Sequence, residues 1–181
     1  MNAYGINPSI ALKNILIKRE ESLNNSMKFT KDGKSALVVQ GGGMRGIFSA
    51  GALIALEKMG FCDVFDAVYG SSGGAVNASY FLAKQSPFGA SIYYEDINNL
   101  RVINPLRIKK IFDVDYIFDE VITKIKPLNV SNVVKSRSKF YIFLTKTTGS
   151  SVRFKPKIKN LVELLNASCA LSVYYNKAVH L

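Results

Sequence analysis

Two short stretches hold residues whose types and spacing could do chemistry. Gly70-Ser71-Ser72-Gly73-Gly74 matches G-x-S-x-G with Ser72 at the centre. In that pattern a serine sits on a strained turn between a strand and a helix, so its neighbours, here Gly70 and Gly74, must be small. The turn lifts the hydroxyl into the open, and the helix that follows aims its N-terminus at any negative charge developing there. Gly41-Gly42-Gly43-Met44-Arg45-Gly46 matches G-x-G-x-x-G through Gly41, Gly43 and Gly46. This second stretch has three readings. It could cradle a pyrophosphate, with Asp63 at a tolerable distance to hold a ribose, although Asp63 and Asp66 fall before or within the next strand rather than just past it. It could be a plain structural turn. It could also be an oxyanion hole, in which consecutive N–H groups free of side-chain bulk stand at a buried helix N-terminus.

Both stretches need a frame. Residues 35–40 form a short apolar run with β-branched members, which predicts a buried strand leading into the first glycine loop. Ile47 to Met59 is apolar almost all round and closes at Gly60, which predicts a core helix. Val64 to Tyr69 predicts a second strand, and Ala75 to Lys84 a second helix. Two strand–loop–helix units in succession imply parallel strands in an α/β sheet covered on both faces. The two loops then lie at the carboxyl ends of neighbouring strands and face one crevice.

Beyond this pair the pattern loosens. Ser86-Pro87-Phe88-Gly89 reads as a break, residues 91–100 as a helix, and residues 101–138 show weak periodicity around Pro105 and Pro127. Phe140 to Thr145 alternates as a strand, with Val152-Arg153-Phe154 pairing back as a hairpin. Ile158, Leu161, Val162, Leu165 and Cys169 share one face of a helix. At the other end, Asn7-Pro8-Ser9 reads as a capped helix start. That helix runs to about Glu21 and is followed by a polar linker containing Asp32-Gly33. Residues 1–34 are thus an N-terminal helix and linker, either packed on the outside of the domain or resting on a membrane, and residues 35–181 are the domain.

The chain has 181 residues, 48% hydrophobic and 20% charged, an ordinary globular balance that excludes disorder and low complexity. Cys62 and Cys169 are too few for a disulfide framework, and one histidine, His180, leaves little for a metal site. No apolar run approaches the roughly 18 residues of a membrane span, and the N-terminus lacks a secretory layout, so no compartment is assigned. The net charge of +11 is concentrated in residues 101–160, which hold 14 basic and 4 acidic side chains. There Arg107, Lys109, Lys110, Lys124 and Lys126 surround Ile111, Phe112, Tyr116 and Phe118. This is either a solvated charged face or a surface able to rest on an anionic bilayer. No nucleic-acid module is present.

The two glycine motifs, in this order, resemble those of the patatin-like phospholipases. That family pairs a G-G-G-x-R-G loop with a G-x-S-x-G elbow. Phe65-Asp66-Ala67-Val68-Tyr69-Gly70 resembles its strand, and Asn166-Ala167-Ser168-Cys169-Ala170-Leu171 its A-S-[CA]-[AS]-L-P segment. The resemblance spans residues 35 to 181. It implies a three-layer α/β/α fold around a mainly parallel sheet, incomplete at the C-terminus. It also implies lipid acyl hydrolysis without metal or cofactor, on a phospholipid or other lipid ester. Ser72 takes the place of the family nucleophile, and Gly41, Gly42, Gly43, Met44, Arg45 and Gly46 that of its oxyanion loop. Ser172 stands where the family has proline. The family's general base is an aspartate in a D-G-[GA] segment just beyond, and no residue of this chain takes that place. A triad of Ser72 and His180 with Asp113, Asp115 or Asp119 is the alternative source of a base. The rival functions are a non-catalytic remnant of such a hydrolase and a nucleotide-binding α/β protein.

Overall fold

A computed structural model describes residues 8–24, 34–107 and 111–170. The readings made at the side chain of Ser9 and at Asp32-Gly33, Lys109, Lys110, Ser172 and His180 fall outside the described residues. Four strands form one sheet in sequence order: β1 (Ala36–Val39), β2 (Ala67–Ser71), β3 (Lys139–Thr145) and β4 (Ser151–Phe154). The first three are parallel, with Val39 beside Gly70 and Gly70 beside Ile142; β4 returns antiparallel on β3. The helices are α1 (Pro8–Leu23), α2 (Gly46–Lys58), α3 (Gly73–Leu82), α4 (Ser86–Ser91), α5 (Val114–Tyr116), α6 (Val130–Lys135) and α7 (Leu161–Cys169). Helices α4 and α5 each run on into wider π-type turns, Ile92–Asp96 and Ile117–Ile125. The fold is α/β.

Alternation along the strands explains the core. Val68 and Gly70 on β2 and Phe140, Ile142 and Leu144 on β3 are buried, while the residues between them are half-buried or exposed. Helices α3 and α7 lie on the sheet, and α2 packs on α3 and α4. On the more exposed face Tyr69 stacks on Tyr141 with ring centroids 5.2 Å apart.

Three local expectations are corrected. Strand β1 is not fully buried: it is a sheet edge, and Val38 is 73% exposed. Helix α2 is not enclosed by core either. It buries Gly46, Ala50 and Leu53 against α3 and α4 and leaves Phe48 80% exposed. Ser86-Pro87 does not break structure but opens α4, because proline fits the first helical turn, where its missing N–H has no partner to lose.

One ion pair ties α1 to the sheet. Lys18 Nζ lies 2.6 Å from Asp66 Oδ2, just before β2, and the Ser35 N–H donates to the same oxygen at 2.6 Å. Lys18 is only 7% exposed. Arg19 adds a hydrogen bond from Nε to the Met59 carbonyl at 2.5 Å and sits over the Phe61 ring. Burial by itself would raise the Asp66 carboxyl. The hydrogen bonds from Lys18 and Ser35 and the Lys18 charge together outweigh it and hold the group below its ordinary 3.8. A carboxyl depressed in the folded state contributes stability that is present above its unfolded value and lost as pH falls toward the folded one. Replacing Lys18 by Met therefore lowers unfolding free energy near neutrality by about 1–3 kcal/mol. The difference from wild type narrows below about pH 4, which urea denaturation at pH 7 and pH 3.5 measures.

Candidate active site

Strand β2 ends at Ser71 and α3 begins at Gly73, leaving Ser72 alone at the corner. Its backbone sits at φ 53°, ψ −135°, a region that side chains rarely tolerate. Among the described residues only Ser72 and Lys84 combine a side chain with positive φ. Such a corner closes only if its neighbours lack side chains. A Cβ on Gly70 would stand 2.5 Å from the Ala75 Cα, and one on Gly74 2.5 Å from the Gln40 carbonyl oxygen. Gly74 thus lets α3 start against the end of β1.

The first glycine loop arrives at the same place. A Cβ on Gly41 would lie 2.6 Å from the Ser71 oxygen and 2.9 Å from the Ser72 Cβ. The two bends are in van der Waals contact. Gly43–Arg45 then makes a 3₁₀ turn that runs directly into α2, with Gly43 at φ 55°. The leading N–H groups of a helix have no partner within it, and Gly43, Met44 and Gly73, each at a helix start, line one cavity with Ser72. The Ser72 N–H is already engaged: it donates to Ser168 Oγ at 2.8 Å, and Ser168 in turn donates to the Phe143 carbonyl at 2.7 Å.

A cavity of about 340 Å³ opens at this junction. Gly43, Met44, Ser72 and Gly73 form one end, and Val76, Ile92, Ile97, Ile103, Phe112, Phe118 and Ile122 are among its apolar walls. Its surface is almost wholly apolar and offers water few polar partners. Its wall is braced by Lys126. That side chain is 8% exposed and bonds to Ser91 Oγ and Glu95 Oε2, with Asp96 at 3.8 Å. This corrects the placement of Lys126 and Phe118 on a charged outer face, since both point inward. Lys124 remains outside, paired with Glu120 at 2.6 Å.

Four further residues belong to the site. Asn77 is buried on α3; its Nδ2 donates to the Gly46 carbonyl at 2.8 Å and to Ser49 Oγ at 3.0 Å. Tyr93 donates to Asn77 Oδ1 at 3.1 Å. A Cβ on Gly46 would run into the Tyr93 hydroxyl, and one on Gly73 would lie 3.3 Å from it, so this phenol touches both bends. Burial pushes the phenol up to about 12, against the pull of its bond to Asn77. The sequence reading missed both; an amide among the apolar residues of α3 is the signal that could have found Asn77, and none marks Tyr93. Ser168 and Cys169 sit at the end of α7. Burial pushes the Cys169 thiol up to about 12 although a hydrogen bond with Ser72 pulls the other way.

The other candidates lie elsewhere. Asp113 caps α5, accepting from the Tyr116 N–H at 3.1 Å, and Asp119 is exposed. Asp63 pairs with Lys84 at 2.7 Å, and Asp66 with Lys18. Both precede β2, at the opposite end of the strand from the glycine loop, where no ribose bound to that loop would meet them. Among the described residues Ser72 has no hydrogen bond to an acidic or histidine side chain, and no group of three metal-binding side chains occurs.

A family model described as patatin-like phospholipase matches residues 37–181. The chain belongs to that family. It is also 28% identical over 163 residues to the uncharacterized protein YjjU of Escherichia coli (strain K12). That match covers 86% of this chain and 45% of YjjU, so the chain spans under half the length of the curated relative it matches. The patatin-like phospholipases are a family of lipid hydrolases.

Two measurements probe the site without turnover. Asn77→Leu strips a partner from the Gly46 carbonyl and from the Tyr93 hydroxyl, and costs about 2–3 kcal/mol in urea denaturation. Cys62 and Cys169 are both raised from 9.0 to about 12. Their thiolate populations at pH 8 therefore fall by roughly a thousandfold. Iodoacetamide followed by mass spectrometry should find both nearly unlabelled in the native chain and both labelled in urea.

Proposed function

We propose that this chain carries the nucleophile, the oxyanion site and the acyl pocket of a serine-dependent lipid acyl hydrolase. The observation that carries the reading is the meeting of three features at one point. They are a serine in a strained corner, a glycine loop in contact with it, and an apolar cavity opening between them.

In the first half-reaction Ser72 Oγ bonds to the acyl carbonyl carbon of a lipid ester. The carbonyl oxygen gains negative charge and takes hydrogen bonds from N–H groups of Gly43, Met44 and Gly73. The bond to the alcohol oxygen then breaks, and that oxygen takes up the proton the Ser72 hydroxyl has lost, leaving an acyl-serine and a free lysolipid or alcohol. Water attacks the acyl-serine in the second half-reaction and releases a fatty acid. The acyl chain lies along the Ile92, Phe118 and Ile122 wall, where desolvating each methylene contributes about 0.8 kcal/mol. The donors act best in such a water-poor setting, because little solvent competes with them. No residue described is assigned the role of general base.

A second reading, lipid binding without turnover, has one observation in its favour: among the described residues no acidic or histidine side chain is hydrogen-bonded to Ser72. A fluorophosphonate probe decides between them, since it reacts only with an activated serine. Wild type labelled on the peptide holding Ser72, with Ser72→Ala unlabelled, supports the hydrolase. Equal labelling of both, or none of either alongside retained binding of a fluorescent fatty acid, rejects it.

A further inference from the structure

We propose that residues 97–107 form a docking element for the surface of an anionic phospholipid bilayer, placed so that it seats the cavity mouth on its substrate. The segment is a rigid pair of turns, each built on an asparagine. Asn99 Oδ1 accepts from the N–H groups of Arg101 and Val102 at 3.0 and 3.1 Å, and Asn99 Nδ2 donates back to the Asp96 carbonyl at 2.7 Å. Asn104 Oδ1 accepts from the Leu106 N–H at 3.0 Å, and the Arg107 N–H closes onto the Asn104 carbonyl at 3.1 Å. Arg107 Nη1 then donates to the Arg101 carbonyl at 3.1 Å and clamps one turn to the other.

What these turns hold outward is unusual. Leu100 is 72% exposed and Leu106 is 90% exposed, each immediately followed by an arginine. Inward, the same segment sends Val102 into the core, while Ile97 and Ile103 line the cavity. The two exposed leucines thus flank, in one short segment, the two isoleucines that line the cavity holding Ser72. Arg101 lies flat over the Tyr116 ring, 3.8 Å from its centroid, and has no acidic partner among the described residues. Arg107 stands 4.0 Å from Asp113, its one acidic neighbour among the described residues. Two insertable leucines beside two guanidinium groups, in the part of the chain that holds 14 basic and 4 acidic residues, match a surface with anionic heads over acyl chains. The inference deepens the hydrolase reading and rests on it for what the cavity takes. The docking itself is read without any turnover.

The test is co-sedimentation of the whole chain with phosphatidylcholine vesicles, with and without phosphatidylglycerol. Wild type should bind the anionic vesicles at least about tenfold better than the neutral ones. Leu100→Asp with Leu106→Asp should lose at least about tenfold in partition onto the anionic vesicles. Arg101→Gln with Arg107→Gln should lose mainly the preference between the two compositions. Phe48→Asp, which removes an equally exposed apolar residue on α2, should bind as wild type, and so should Ser72→Ala. Unchanged binding by the double leucine variant, or no binding by wild type, overturns the proposal. So does a dimer lost in the leucine variant with vesicle binding intact, which would give the leucines to a second copy of the chain. If fluorophosphonate labelling fails while this pattern of binding holds, the hydrolase reading falls and the docking element stands.

Discussion

The close approach of two glycine bends at Ser72 is the constraint on which the rest of the structure depends. A serine at φ 53°, ψ −135° is costly, on the order of 1–3 kcal/mol for such a backbone. It persists because its surroundings leave no other arrangement. Strand β2 is held on both sides by parallel partners as far as Gly70, and Ser71 is paired with Phe143 of β3. Ala75 fills the space over Gly70, the end of β1 fills that over Gly74, and Ser168 fastens the Ser72 N–H to the end of β3. The strain is local, and the restraint comes from three strands and two helices at once.

That restraint extends from the corner to the cavity through a single phenol. Tyr93 lies on the π-type turn after α4, lines the cavity, and lies in line with both Gly46 and Gly73. Its bond to Asn77, and the bonds from Asn77 to Gly46 and Ser49, make one buried network out of the start of α2, the middle of α3 and the cavity wall. A buried network in which every member is satisfied fixes relative positions more sharply than apolar packing alone. The donors of the 43–45 turn are therefore set by the same contacts that shape the pocket. Lys126 performs a similar service at the far wall, drawing the end of the π-type Ile117–Ile125 helix onto Ser91 and Glu95.

The parts readable from sequence are those where a residue type answers to one geometric need. Gly41, Gly70 and Gly74 were legible because only glycine permits those approaches, and the strands leading to them because short apolar runs before glycine bends have few alternatives. The misreadings share a cause as well. Helix α2 is composed like a core helix, but composition does not say which neighbours exist, and Phe48 faces outward. Pro87 has opposite meanings at the start and in the middle of a helix. The 101–138 stretch conceals a helix whose buried Ile117, Phe118, Val121 and Ile122 do recur at helical spacing, a short pattern lost between the prolines and basic residues on either side of it. Asn77 and Tyr93 are 16 residues apart, and nothing in their local sequence says that they meet.

The placement of acidic residues divides the molecule by function. In a nucleotide-binding sheet an acid beyond the carboxyl end of the second strand would hold a ribose. Here Asp63 and Asp66 precede the amino end of β2 and are engaged by Lys84, Lys18 and Ser35, which join helices to the sheet. At the carboxyl ends the chain sets instead glycine, serine, and an apolar cavity with little charge in it. An anionic ligand at that junction would find amide donors but no countercharge lining the cavity, and burying a charge on such terms is costly. A neutral ester meets the opposite balance. It enters uncharged, its apolar tail gains from the cavity, and negative charge arises only when the carbonyl is attacked, beside donors already in position. The surroundings of this glycine loop thus favour a neutral, apolar-tailed ester over the phosphate such a loop could cradle elsewhere.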